Sequence, residues 1–418
     1  MSQPHRLSLF ATIFVNINIM LGTGVFINTV LLPQKVGSFA PLLYGAAGLL
    51  MLPLVICMAR LMNFYTEGTF YTFGSALGKY WGFISTWSYF IGKLATPTLG
   101  IHVFSTLLQK SVPSCAAYSV FTLDVAIITL FVLLNLFSGK VGKRIQYFFI
   151  FTKSMPLFFA IGAGLWYLDL INLAAPSVIW EGVPLALPLV IFCYLGFEAT
   201  CSLSKVIENP QKNASKAILY SFFIVVALLM LYQFLFYTTI CSSLTDQMTF
   251  VDAFPLLIQK AFPSLLPILA PLLSLAIATS ALGGAYGLLY SNAWNLHTLA
   301  QHDYVPASRY FASCNTYNIP YLCVIAEGVL CLSYLFLTKG SQIPLQYTSV
   351  LSCMASYAIS VASLNKVACS PISILGMISC LIGISFCLRG FIFTNLAPLY
   401  FFVIILTLGS IVYCAKKR

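Results

Sequence analysis

Twelve stretches of this chain are each long and apolar enough to cross a lipid bilayer, and no other feature restricts the fold so strongly. A spanning helix needs about 20 mostly apolar residues. Such runs fall near residues 10–31, 39–60, 81–109, 118–137, 146–168, 184–205, 214–240, 264–292, 320–338, 342–364, 371–389 and 395–415. Hydrocarbon offers no water to a bare N–H or C=O, so each run must satisfy its own backbone by coiling into a helix. Composition agrees: 60% of the 418 residues are hydrophobic and only 7% are charged, against about 25% charged in soluble domains. The expectation is an all-α membrane protein with twelve transmembrane helices in one domain, 1–418. The first run lacks a small-residue cleavage site after a short apolar core, so it reads as a permanent helix rather than a removable signal.

The net charge of +11 reads as an orientation signal rather than as a surface for nucleic acid. Lys and Arg accumulate in short cytoplasmic loops. With the N-terminus inside, fourteen positives (Arg6, Arg60, Lys79, Lys140, Lys143, Arg144, Lys205, Lys212, Lys216, Arg309, Lys366, Lys416, Lys417 and Arg418) face the cytoplasm. Five (Lys35, Lys110, Lys260, Lys339 and Arg389) face outward, and Lys93 and Lys153 stay within the membrane. An even number of spans puts both termini in the cytoplasm. The longest outer loop, about 241–263, contains Phe250 to Ile258, which suits a short helix over the outer mouth. The thirteen cysteines form no CxxC pair or metal-binding pattern, and most lie in apolar runs as small hydrophobes. Cys115 and Cys241, near predicted outer ends, are the pair considered for a disulfide.

Two spans break their own rule. The first carries Gly22-Thr23-Gly24 at its centre, and the sixth carries Gly196 followed by Glu198. Glycine costs roughly 1 kcal/mol against alanine inside a helix. The two interruptions stand five helices apart, the spacing of two inverted five-helix repeats: about 10–168 and about 184–364, with two further helices at about 371–415. A helix broken at mid-membrane frees backbone groups, which lipid tolerates only beside a polar cavity. A half-helix N-terminus offers N–H donors and partial positive charge to an anion. Half-helix C-termini and unwound carbonyls suit an ammonium. Two such breaks side by side would hold a zwitterion such as an α-amino acid. The competing reading is that these glycines only let helices approach closely.

Four stretches resemble the amino acid–polyamine–organocation transporter superfamily, whose fold is LeuT-like. They are Gly22-Thr23-Gly24-Val25-Phe26; Glu67-Gly68-Thr69-Phe70-Tyr71 with Gly78 and Trp81-Gly82-Phe83; Phe192 to Glu198 with Glu208-Asn209-Pro210; and Ala300-Gln301-His302-Asp303-Tyr304-Val305-Pro306. Their order and spacing cover about residues 10–320, while the last four helices fit by hydropathy alone. The resemblance implies a 5+5 inverted repeat with discontinuous helices 1 and 6. It further implies that the backbone at Gly22, Thr23 and Gly24 takes a substrate carboxylate. Carbonyls near Phe192, Cys193 and Leu195 would take the amine, Gly196 would open the sixth helix, and Phe192 or Tyr194 would close over the substrate. Ser204-Lys205 stand where the family usually has acids, a departure at the inner gate.

Ionisable residues inside a membrane are costly and therefore functional candidates. Lys153, on the fifth span, matches a lysine that in relatives fills the space of a sodium ion, and it points to sodium-independent coupling. Glu198 either senses protons or holds the unwound segment. Lys93, on the third span, either selects substrates by repelling cations or pairs with Glu198 or Glu327. Thr279 and Ser280 are weak sodium-ligand candidates, and Tyr286, Tyr290 and Trp294 read as packing or interface residues. Four histidines and ten dispersed acids form no catalytic set, which argues against an enzyme, and no filter motif suggests a channel. The expected protein is a multi-pass amino acid transporter of a bacterial-type inner membrane, working by alternating access. Its partners are a small amino acid, membrane lipid and, as candidate coupling ion, the proton; no cofactor is implied. Proton symport and amino acid exchange both remain open at this level.

Overall fold

A computed structural model describes residues 7–65, 68–137, 139–168, 178–202, 207–240, 243–244, 246 and 248–417, with the backbone alone described at 139–151, 153 and 202. Eighteen α-helices and no β-strand occur among the described residues. α1 (Leu9–Met20) and α2 (Thr23–Val36) form one span bent by 47° at Leu21–Gly22. α3 (Ala40–Phe64) and the short α4 (Phe70–Ser75) follow. α5 (Lys79–Lys93) and α6 (Ala95–Ser111) are parted by Leu94 alone; then come α7 (Val120–Asn135) and α8 (Gly139–Trp166). The second interrupted span is α9 (Val183–Tyr194) with α10 (Ala199–Ser202). After it run α11 (Pro210–Ile240), α12 (Phe250–Ala261), α13 (Leu266–Gln301) and α14 (Ser308–Phe311). α15 (Tyr321–Thr338), α16 (Gln342–Val367), α17 (Pro371–Ile392) and α18 (Ala397–Lys416) complete the chain.

Eight of these segments are long and apolar enough to cross a membrane, and the bent α1–α2 pair makes a ninth. α7 and the Ser154–Trp166 part of α8 are apolar but shorter. α5 and α6 are split at Leu94 and carry Lys79, Lys93, His102 and Lys110. Both expected interruptions are present, so neither span is a continuous rod. The short helix expected after residue 241 is α12, opened by a capping box in which Asp252 accepts from the Thr249 N–H at 3.0 Å. Cys241, Glu67 and Ser204-Lys205 lie outside the described residues.

Lipid gives helices no hydrophobic reason to associate, so close approach and interhelical hydrogen bonds must hold them together. α5 and α6 meet α16 through a row of hydroxyls. Ser85 Oγ donates to the Ser356 carbonyl at 3.3 Å, Ser356 Oγ returns to the Ser85 carbonyl at 2.6 Å, and Thr96 and Ser349 share a hydroxyl bond at 2.7 Å. Gly92 sits in this row, and a Cβ there would collide with Ser352 and come within 3.0 Å of Phe402. α3 runs along α11, α6 along α13, and α2 along α9. Two of the motif stretches meet away from the spans. Tyr71 stacks on His302 with ring centres 4.2 Å apart, and its hydroxyl bonds that of Tyr304 at 3.0 Å. Burial and the nearby Lys79 hold the His302 imidazole below its usual pKa.

The serine row makes Gly92 and Gly162 opposite cases. Overpacking costs typically about 1–3 kcal/mol, so Gly92→Val lowers the melting temperature in detergent. Gly162 has nothing within 4 Å of a built Cβ, so Gly162→Ala leaves that temperature unchanged or raises it. Equal effects from the two substitutions contradict the packing described.

Candidate functional site

The two interruptions lie against each other. Leu195 is extended (φ −66°, ψ 131°), and Gly196 takes φ +136°, in the region that favours glycine. A Cβ at Gly196 would stand 2.9 Å from the Met20 nitrogen and 2.8 Å from Ile19 Cγ2. The sixth-span break is thus pressed directly onto the end of α1. Across the gap, a Cβ at Gly24 would fall 2.5 Å from the Phe192 ring and 3.3 Å from Cys193 Sγ. Gly196 both bends the chain and admits a neighbour, whereas Gly24, inside α2, only admits the Phe192 ring.

Between the breaks is a cavity of about 30 Å³ lined by Ile19, Met20, Gly22, Thr23, Gly24, Lys93, Thr96, Phe192, Cys193, Leu195 and Leu288. Thr23 and Gly24 open α2, and their N–H groups have no carbonyl one turn back within that helix. α9 ends beside it: the Phe192 carbonyl accepts from the Leu195 N–H at 3.2 Å, and the carbonyls after it have no partner one turn on within that helix. The positive end of one half-helix therefore borders the same cavity as the negative end of another.

Seven residues expected at the site line this cavity: Gly22, Thr23, Gly24, Lys93, Phe192, Cys193 and Leu195. Tyr194 does not. Two residues on from Phe192 its ring leaves on the other side of the helix, packs edge-on against Tyr44 and donates to the Tyr44 carbonyl at 2.5 Å. Lys153 lies within α8, but its side chain is outside the described residues. Thr279 donates to the Ala276 carbonyl at 2.9 Å, and neither it nor Ser280 lines the cavity. Tyr286 packs on Phe131, Trp294 on His297, and no cavity wall includes them or Tyr290. Ile19, Met20, Thr96 and Leu288 are wall residues that sequence reasoning missed; Thr96, three after Lys93, shares its helical face.

Lys93 and Glu198 form a buried ion pair, Nζ to Oε1 at 2.9 Å, with side chains 3% and 1% exposed. Tyr89 donates to the same oxygen at 3.0 Å, and the Gly196 N–H donates to Oε2 at 2.6 Å. Glu198 thus does two jobs: it ties the unwound segment and cancels the charge of Lys93. Glu327, the other partner considered, has no hydrogen bond to either carboxyl oxygen among the described residues. The cavity wall consequently carries an ammonium whose charge is balanced one residue away.

Buried amides tie each broken helix to its neighbours on either side of the breaks. One turn past Gly24, Asn28 Nδ2 donates to the Leu189 carbonyl at 2.8 Å and to Gln346 Oε1 at 3.1 Å. About one turn before Met20, Asn16 donates to Ser221 at 3.2 Å and accepts from Thr200 at 2.8 Å.

A helical bundle with two broken spans around a small, two-signed cavity is the anatomy of a multi-pass membrane transporter. The chain belongs to the amino acid permease family, whose profile matches residues 7–414, and this is a family of transporters rather than enzymes. It is 27% identical over 232 residues to a methylthioribose transporter of Bacillus subtilis, covering 51% of this chain and 50% of that protein. It is 24% identical over 247 residues to the branched-chain amino acid permease BcaP of the same organism, covering 53% and 52%. An uncharacterized transporter of Mycobacterium tuberculosis is 23% identical over 261 residues, covering 54% of each. Each match spans about half the length of the relative.

The geometry yields two paired tests. Removing one member of a buried ion pair costs about 3–5 kcal/mol, whereas apolar replacement of both is often neutral. Lys93→Met therefore lowers thermal stability in detergent, and Lys93→Met with Glu198→Gln, which removes the unpaired charge but keeps an acceptor for the Gly196 N–H, recovers most of it; a double variant no better than the single contradicts the pairing. Gly24→Ala abolishes the exchange proposed below, because its methyl meets the Phe192 ring. Gly22→Ala, whose Cβ would meet only the Ile19 carbonyl oxygen at 3.6 Å, retains exchange. The reverse order contradicts the cavity assignment.

Proposed function

We propose that the protein carries a small neutral amino acid across a bacterial-type inner membrane by alternating access, driven by protons and independent of sodium. The observation that carries this reading is that the N-terminal end of α2 and the C-terminal end of α9 border one cavity. An α-amino acid has a carboxylate for the first set and an ammonium for the second. The remaining wall, Ile19, Met20, Phe192, Leu195 and Leu288, suits an apolar side chain. The name of BcaP, a branched-chain amino acid permease, supports a substrate of that kind.

In this reading the chain has twelve spans: the nine above, α5 with α6, α7 and α8. Spans one to five and six to ten are inverted repeats, the last two are additional, and both termini are cytoplasmic. Spans one and six rock against a scaffold that includes α5 and α6. Phe192 closes over the substrate, and Lys153 supplies the cation that sodium supplies elsewhere.

Counterflow in proteoliposomes tests the reading. Purified protein loaded with unlabelled substrate is presented with each common amino acid in labelled form and, separately, with methylthioribose. The expected result is exchange of one or more neutral amino acids, unchanged when sodium is replaced. Exchange of methylthioribose alone, or of no amino acid, overturns it. Lys153→Ala is expected to reduce uptake while the protein still reaches the membrane; normal uptake across pH contradicts the role given to that lysine.

A further inference from the structure

The Lys93–Glu198 pair is positioned to couple substrate to proton. Lys93 belongs to α5, and Glu198 belongs to the broken sixth span, two elements that alternating access moves relative to one another. Lys93 also lines the cavity, beside the start of α2. An ammonium has three donor protons; Glu198 takes one and the Cys353 thiol another, which leaves one for a ligand. Resting on the transport reading above, we infer that the substrate carboxylate competes with Glu198 for the Lys93 ammonium, and that Glu198 takes up a proton as it is released.

The step balances without a covalent change. Before binding, ammonium and carboxylate cancel. The zwitterion arrives with its carboxylate at Lys93 and the N–H groups of α2, and with its own ammonium at the α9 carbonyls. Glu198 then has no cation, and an unpaired buried carboxylate is strongly unfavourable. Protonation from the compartment then open to the site removes that penalty. The groups facing Glu198 are Lys93 and Tyr89 of α5, Tyr357 and Cys353 of α16, and Cys201 of its own span. None of them other than Lys93 is a cation. The loaded site therefore carries one positive charge more than the empty one, so uptake is electrogenic. The empty carrier returns electrically neutral, with Lys93 and Glu198 paired again.

Two measurements test this. In the first, wild-type protein in weakly buffered detergent with a pH-sensitive dye receives a mixture of the common L-amino acids adjusted to the pH of the sample. Binding is expected to withdraw protons from solution. In the second, uptake is measured with and without an acid-outside gradient and an inside-negative potential. Wild type is accelerated by both, and Glu198→Gln loses both accelerations whatever exchange it retains, while Glu198→Asp regains them in part. Exchange-competent wild type that binds without withdrawing protons, or a Glu198→Gln variant still driven by the gradient, overturns the inference and leaves the transport reading standing. Absence of counterflow for every amino acid overturns the transport reading itself. If Glu198→Gln fails to fold, the dye measurement on wild type decides alone.

Discussion

The main chain's need for hydrogen-bond partners in a medium without water governs this molecule. Continuous helices meet that need locally, which is why nearly every long segment here is helical. Where α1 gives way to α2 and α9 to α10, the need goes unmet within the helix and must be met by something else. Part of the answer is internal: Glu198 accepts the Gly196 N–H, and the breaks press against each other through Gly196 and Met20. The unmet remainder is a set of donors at the start of α2 and of acceptors at the end of α9, beside one small cavity, and this is what the proposed reading uses to bind substrate.

Everything near that cavity is arranged around it at increasing distance. Phe192 and Gly24 set its width, since no side chain at position 24 can coexist with the ring. Lys93 brings a charge to the wall, and Glu198 balances it. Asn28 with Gln346 on one side and Asn16 with Thr200 and Ser221 on the other tie the broken helices to their neighbours through buried polar bonds. Bonds of this kind are individually modest and can be exchanged for others when helices shift. The hydroxyl row between α5, α6 and α16 fastens those helices to one another.

Much of the fold was legible because membranes penalise exceptions. Apolar runs mark helices almost by length alone, and a Gly-Thr-Gly or a Gly196–Glu198 in such a run stands out as a break. The cavity residues near those breaks followed from them. The pairing of Lys93 with Glu198 did not follow, since the residues are 105 positions apart and Glu327 fitted the same argument. Thr96 and Leu288 were invisible because a threonine or leucine in a spanning helix violates nothing. Tyr194 was read together with Phe192 on residue type, though helical periodicity sends neighbours two apart to different sides. Segments rich in hydroxyls, such as α5 and α6, turn those polar residues onto neighbouring helices, so hydropathy alone marks them weakly.

The central claim is that backbone groups grip both charged ends of a zwitterion at once. Competition in the counterflow assay measures this directly, using the best-exchanged amino acid against its methyl ester and its N-acetyl derivative. Hydrogen bonds to charged groups are worth about 1.5–3 kcal/mol each, so both derivatives are predicted to compete at least tenfold more weakly than the parent. A methyl ester or an N-acetyl derivative that competes as well as the parent amino acid would contradict the account.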